Sequence, residues 1–393
     1  GETTVEEAWA RAEPFVRKAL EIDPGFSDAY VTLARFKREF GQMEEAADHL
    51  YHALELEPGN LGASGNLGLV LRFMGDYEGA LAIHEADAQI DPLSAVFQAR
   101  LGTSNWFMDQ HAEAERRYHL ASELAPRWEE TYDSWAAMLA LGPGRMDLAL
   151  EMIERKIEVE GEPTPRTWRA ASSWADALGL QNKALEYRMR LTGGEEPGPD
   201  PKHYLLNGDY QQARLAAGEV LANSPSDTSA LLALAAVEKA TGLSGDFSER
   251  VLAAFPGVIE DKLHANPRGL EVASLVALAY RMSGQQESAS VMLRKIVDAI
   301  PQPRSPQHVY LAAALAMQGY SVKALARLRN SPPGRVRFMA RMLPLDPRFE
   351  SLWRLPEFSE LIAAHVAEID LQRADYMARN HSVSIVKTGA AIK

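Results

Sequence analysis

Glu21-Ile-Asp-Pro24, Glu55-Leu-Glu-Pro58, Gln89-Ile-Asp-Pro92 and Glu123-Leu-Ala-Pro126 place four prolines at a constant step of 34 residues. A fixed step of that size marks a repeat architecture, in which one short supersecondary unit is copied and stacked. Ala12, Ala46, Ala80 and Ala114 keep the same step, and so do Ala19, Ala53 and Ala121, with Asp87 breaking the second series. Gly41 and Gly75 mark a turn midway through the unit. The unit therefore reads as a helix, a tight turn, and a second helix that stops before a proline unable to continue it. Alanines seven apart, such as Ala46 with Ala53 or Ala114 with Ala121, share one helix face and let the backbone of a neighbour come close.

Composition narrows the chemistry around that frame. The chain has 393 residues, 46% of them apolar, which is too much for wholesale disorder. It contains no cysteine, so disulfide frameworks, thiolate metal sites and cysteine nucleophiles are excluded. Asp and Glu number 54 against 41 Lys and Arg, for a formal charge of -13. That balance argues against a nucleic-acid partner read through a broad basic face. No apolar run reaches the roughly 18–20 residues needed to cross a bilayer, and the N-terminal stretch lacks a signal-peptide pattern. The sequence leaves cytoplasmic and periplasmic placement both open. Because the chain starts at Gly1 and its first helix has no partner helix upstream, a trimmed N-terminus is expected.

The spacing resembles the tetratricopeptide repeat (TPR). That pattern has an aromatic at the fourth position, Leu-Gly at seven and eight, Ala at twenty, an aromatic at twenty-four, Ala at twenty-seven and Pro at thirty-two. Residues 27–60 supply Tyr30, Leu33, Ala46, Ala53 and Pro58. Residues 61–94 supply Leu67-Gly68, Ala80 and Pro92, but depart at Ser64, His84 and Asp87, so looser packing of that second helix is expected. Residues 95–128 supply Leu101-Gly102, Ala114, Tyr118, Ala121 and Pro126. The fold implied is all-α, a right-handed α-solenoid of stacked helix-turn-helix hairpins.

Downstream the register loosens. The expected organisation is an N-terminal array over 1–192, regular in 27–128 and diverged in 129–192 after the Gly142-Pro-Gly144 turn. A Pro- and Gly-rich break follows at 193–209, leaving room only for a stub of helix at Lys202–Asn207. A second, diverged array covers 210–333, with Pro256 interrupting one unit, and 334–393 reads as capping helices and a short tail. The stretch Leu345-Asp-Pro-Arg-Phe-Glu-Ser-Leu352 with Leu355-Pro-Glu-Phe-Ser-Glu-Leu361 resembles the close of TPR regions in bacterial adenylate-cyclase or winged-helix regulators. That resemblance implies the regulatory part of a larger bacterial protein.

In TPR proteins the first helices line an open groove. The columns that face it in the family carry Arg35 and Arg38 in the first full unit, Asn66 and Arg72 in the second, Arg100 and Trp106 in the third, and Glu130 and Asp133 in the fourth. Asn66 and Arg100 stand where chaperone-binding members hold a peptide's terminal carboxylate, and arginine can grip a carboxylate in a bidentate fork. Val31, Arg35 and Val96 occupy the places of the other clamp residues, so the chaperone-type clamp is incomplete. The expected partner is thus a protein or peptide with an acidic or C-terminal carboxylate segment, running toward a basic one where Glu130 and Asp133 change the sign.

Glycine-rich phosphate loops, His-Glu-x-x-His and Gly-x-Ser-x-Gly motifs are absent, and no cofactor is expected. His49 and His52, with His84 from the next unit, form the nearest thing to a metal set, but read better as packed or solvated helix residues. The competing catalytic reading is a helical-toroid glycoside hydrolase, or the helical part of a glycosyltransferase, with Glu130 and Asp133 as paired carboxylates beside Trp128 and Trp135. A homo-oligomer built through the irregular region 193–267 is a third possibility.

Overall fold

The computed structural model describes residues 5–192, 198, 200–243, 245–259, 263, 267–300 and 307–389, with side chains 5–7, 257, 259 and 381–389 left aside. Among these residues every regular element is helical. They fall into two compact units, 1–126 and 127–393.

The first unit opens with α1 (Val5–Ile22) and continues as three hairpins: α2 (Ser27–Glu39) with α3 (Met43–Leu56), α4 (Leu61–Met74) with α5 (Tyr77–Ile90), and α6 (Ala95–Phe107) with α7 (His111–Leu124). Each boundary has a local cause. Asn60, Asp76 and Ser94 cap the following helices by accepting from the backbone N–H of Ala63, Gly79 and Phe97, satisfying donors a helix start leaves free. Gly75 ends α4 at φ 86°, a left-handed conformation open to glycine at no steric cost. The expected alanine columns are the contact surfaces, since Ala46, Ala53, Ala80, Ala114 and Ala121 have no exposed area. Around them Leu50, Ala63, Leu67 and Val70 form a core shared by consecutive hairpins, so each is stabilised chiefly by its neighbours.

The second unit begins with α8 (Glu130–Leu141), α9 (Met146–Glu160), α10 (Pro165–Leu178) and α11 (Gln181–Leu191). The Pro- and Gly-rich segment lies within this unit; residues 193–197 and 199 fall outside the described residues, and α12 (Pro201–Leu206) is the stub its prolines allow. Then come α13 (Tyr210–Asn223), α14 (Thr228–Thr241), α15 (Phe247–Ala254), α16 (Pro267–Met282), α17 (Gln286–Asp298), α18 (His308–Met317) and α19 (Ser321–Arg329). Helix α15 ends just ahead of Pro256, where a continuing helix would lose a hydrogen bond and clash.

The C-terminal elements are α20 (Pro333–Met339), a 3₁₀ turn (Pro347–Leu352) and α21 (Pro356–Gly389). They fold back on the start of the same unit. The Gly334 N–H donates to the Gly142 carbonyl at 3.0 Å, and Arg337 donates to the Gly144 carbonyl at 2.8 Å. Gln372, buried in α21, donates to the Gly144 carbonyl at 2.8 Å and accepts from the Met146 N–H at 3.0 Å. Arg379 forks across Asp147 and Glu151, both at 2.7 Å. Tyr376 and Tyr187 both donate to Glu154 at 2.6 Å. The expected capping segment is therefore also a clasp on α9 and on the Gly142-Pro-Gly144 turn.

Candidate binding surface of the first unit

Four of the expected groove residues come to the surface on α2, α4 and α6. Arg35 is exposed and makes no hydrogen bond or ion pair among the described residues. One turn on, Arg38 donates from Nη1 to Asn66 Oδ1 at 3.2 Å and from Nη2 to Glu39 at 2.6 Å. Asn66 donates its amide to the Gly62 carbonyl at 2.8 Å, which fixes the orientation in which its oxygen faces Arg38. Arg38 and Asn66 thus bridge α2 and α4. Arg100 reaches from α6 to the Leu61 carbonyl at 3.1 Å. Its guanidinium lies directly on Gly65, where a Cβ would come within 2.5 Å of Nη1. Glycine at that position is what lets the guanidinium cross the helix.

Of the other two groove candidates of this unit, Trp106 is buried and Arg72 half-buried. Trp106 is only 8% exposed, with its ring 4.7 Å from that of Phe107, so it is a core residue. Arg72 turns inward along its own helix: its guanidinium sits 5.4 Å above the Phe107 ring, and burial holds its pKa below the usual arginine value. Both departures have one cause. Phe107 offers an aromatic face that attracts a cation and an adjacent ring.

The three departures from the repeat pattern, Ser64, His84 and Asp87, are all buried. His84 is 1% exposed, and its Nδ1 lies 2.7 Å from Ser104 Oγ on the next hairpin. The other edge of the ring packs on Gly68, where a Cβ would stand within 2.5 Å of Cε1. Burial, helped by the cations of Arg72 and Arg100, pushes the His84 pKa down to about 3. Asp87, also buried, has its carboxyl pushed up by burial, while the Ser64 hydroxyl and Arg100 pull it back. The replaced aromatic and alanine have become a polar seam behind Arg100. No sequence column signals it, because Ser104 and Arg100 belong to a different repeat.

His52 stands edge-on to Tyr30 at 4.5 Å and His49 flanks the same ring at 6.2 Å. Among the described residues no group of three or more metal-ligating side chains is found.

Glu130 and Asp133 belong to the second unit. Glu130 is exposed in the first turn of α8 and makes no hydrogen bond or ion pair among the described residues. Asp133 accepts from the buried Lys156 at 2.7 Å. The two carboxylates therefore have unlike surroundings, one free in solvent and one engaged by an internal cation.

Residues 27–60, the hairpin that carries Arg35 and Arg38, match the family model described as Tetratricopeptide repeat. The chain carries a tetratricopeptide repeat. Comparison with curated proteins gives no match. Among solved structures, the TPR hairpins are similar to the APC/C hetero-tetramer Cut9–Hcn1, at 16% identity and TM-score 0.50, covering 93% of this chain and 60% of that one. YrrB, described as a TPR protein with an unusual peptide-binding site, is 20% identical over 51% of this chain and 96% of its own, with TM-score 0.31. Pseudomonas aeruginosa PilF is 17% identical over 52% of this chain and 94% of its own, with TM-score 0.39. At 16% identity the likeness to Cut9–Hcn1 is one of fold.

Proposed function

We propose that the chain is a non-catalytic interaction module whose first unit holds a peptide or protein segment rich in carboxylates. Arg35, the Arg38–Asn66 bridge and Arg100 form the binding surface. The observation that carries this reading is Arg35 itself, an exposed guanidinium without a partner among the described residues, one turn from Arg38 on the helix next to Asn66. An unengaged guanidinium can offer two parallel N–H donors to a carboxylate. Trp106 and Arg72 support the surface from within and do not touch the ligand. Glu130, exposed in the second unit, is proposed as a contact for a basic part of the partner, and Asp133 as the residue fixed by Lys156.

Membership in a larger bacterial regulator rests on the tail resemblance at Leu345–Leu361. Self-association through 193–267 rests on the exposed Leu206, Leu215 and Leu243. Titration of an extended acidic peptide with a free C-terminus tests the main reading. Affinity should fall in Arg35→Ala/Arg100→Ala; absence of binding by the parent, or unchanged affinity in the variant, rejects it.

A further inference from the structure

The second unit contains a basic cavity with no counterpart in the groove columns. Its volume is about 390 Å³, and it opens between the last turns of α16 and α18 and the 3₁₀ turn Pro347–Leu352. Three arginines line it: Arg281 from α16, Arg348 from the 3₁₀ turn and Arg354 just beyond. They are not equivalent. Arg348 is buried and rigid, forked onto Asp346 at 2.7 Å and donating to Ser274 at 2.7 Å. Arg281 and Arg354 are exposed, and neither makes a hydrogen bond or ion pair among the described residues.

Two groups in the wall could repel an anion, and both are occupied. Glu350 is paired with Lys239 at 2.8 Å. The Ala316 carbonyl, at the negative end of α18, accepts from Ser351 Oγ at 2.9 Å and from the Gly319 N–H at 3.0 Å. The cavity is therefore lined by two unengaged guanidinium forks beside the neutral Arg348–Asp346 pair, in a chain of net charge -13. Two unengaged forks in the lining of one small cavity match an anion with at least two carboxylates close together, each taken bidentately. A volume of this size suits a compact ligand better than a long segment of chain.

We propose that Arg281 and Arg354 form a second binding site, specific for a compact polycarboxylate, presented either as a small molecule or as adjacent acidic side chains of a partner. The site is independent of the first-unit surface. Calorimetric titration of the full chain with citrate, and separately with a blocked Glu-Glu dipeptide, distinguishes the two sources. One or both should bind. Arg281→Ala/Arg354→Ala should weaken that binding about tenfold or more, the scale of losing a charged hydrogen-bonded contact. Arg281→Lys/Arg354→Lys, which keeps the charge but not the fork, should give an intermediate loss. Arg35→Ala/Arg100→Ala removes the first-unit surface, which can also take carboxylates, so the Arg281/Arg354 comparisons are made in that background, where binding at the second site should persist. Binding of the dipeptide alone assigns the site to a protein partner, and binding of citrate to a metabolite. The proposal is overturned if neither probe binds, if the Arg281/Arg354 alanine variant binds as its background does, or if the first-unit variant abolishes binding. Circular dichroism of each variant checks that the helices persist.

Discussion

Gly68→Ala should destabilise the chain, although alanine is the better helix former. Gly68 lies inside α4, where replacing glycine by alanine gains about 1 kcal/mol of helix propensity. Against this, the new Cβ would stand within 2.5 Å of the His84 ring, far inside van der Waals contact. The ring cannot swing away freely, since it is buried and held at Nδ1 by Ser104 at 2.7 Å. Overpacking of this kind costs about 1–3 kcal/mol. The clash should outweigh propensity, giving a net loss of about 1 kcal/mol. The sign should reverse when the obstacle is removed: in a His84→Ala background, Gly68→Ala should stabilise by up to about 1 kcal/mol. Urea denaturation of the four proteins, followed by circular dichroism, completes the cycle. A stabilising effect of Gly68→Ala in the parent, or an equal penalty in both backgrounds, would show that His84 does not press on Gly68.

The same histidine predicts a pH dependence: its pKa falls from 6.5 to about 3 on folding, so the unfolded chain binds the proton first. Its contribution is complete above pH 6.5 and is lost as pH falls toward 3, by up to about 1.4 kcal/mol per unit, a slope that His84→Gln should remove from the parent's stability profile. Asp346→Ala leaves the buried Arg348 without its carboxylate and should cost about 3–5 kcal/mol in chemical denaturation, whereas Arg38→Ala, at a half-exposed pair, should cost less than about 1. Gln372→Ala removes two buried hydrogen bonds of the clasp and should cost about 1–3 kcal/mol, with faster hydrogen exchange at the Met146 amide as the local readout.

The repeat was legible because its signals are local and recur. Prolines at a step of 34 stop second helices, and from α3 onward the alanines at the same step have no exposed area, while Ala12 and Ala19 of α1 are half-exposed. The stub at α12 and the end of α15 followed from prolines alone. Side-chain direction was not legible to the same degree. Arg35 is exposed and Arg38, Asn66 and Arg100 are half-exposed, whereas Arg72 and Trp106 lie against Phe107, a contact that column positions do not reveal. Ser64, His84 and Asp87 each looked like a poor fit when read singly. Ser104 and Arg100, a repeat away, supply a hydrogen bond at His84 Nδ1 and a favourable charge near Asp87, while His84 Nε2 and Asp87 Oδ2 stay buried without a hydrogen-bond partner among the described residues. The clasp was the least legible feature. Gln372 and Arg379 meet partners more than 220 residues earlier, and no periodicity links positions so far apart.

Arg35, Arg38 and Arg100, on the first helices of the first unit, are proposed to hold an acidic segment. Isothermal titration of an extended peptide with several Glu residues and a free C-terminus tests this role most directly, in the parent, in Arg35→Ala/Arg100→Ala and in Arg281→Ala/Arg354→Ala. Binding should weaken about tenfold or more in the first variant and survive in the second. No binding by the parent, or parental affinity retained without Arg35 and Arg100, would contradict it.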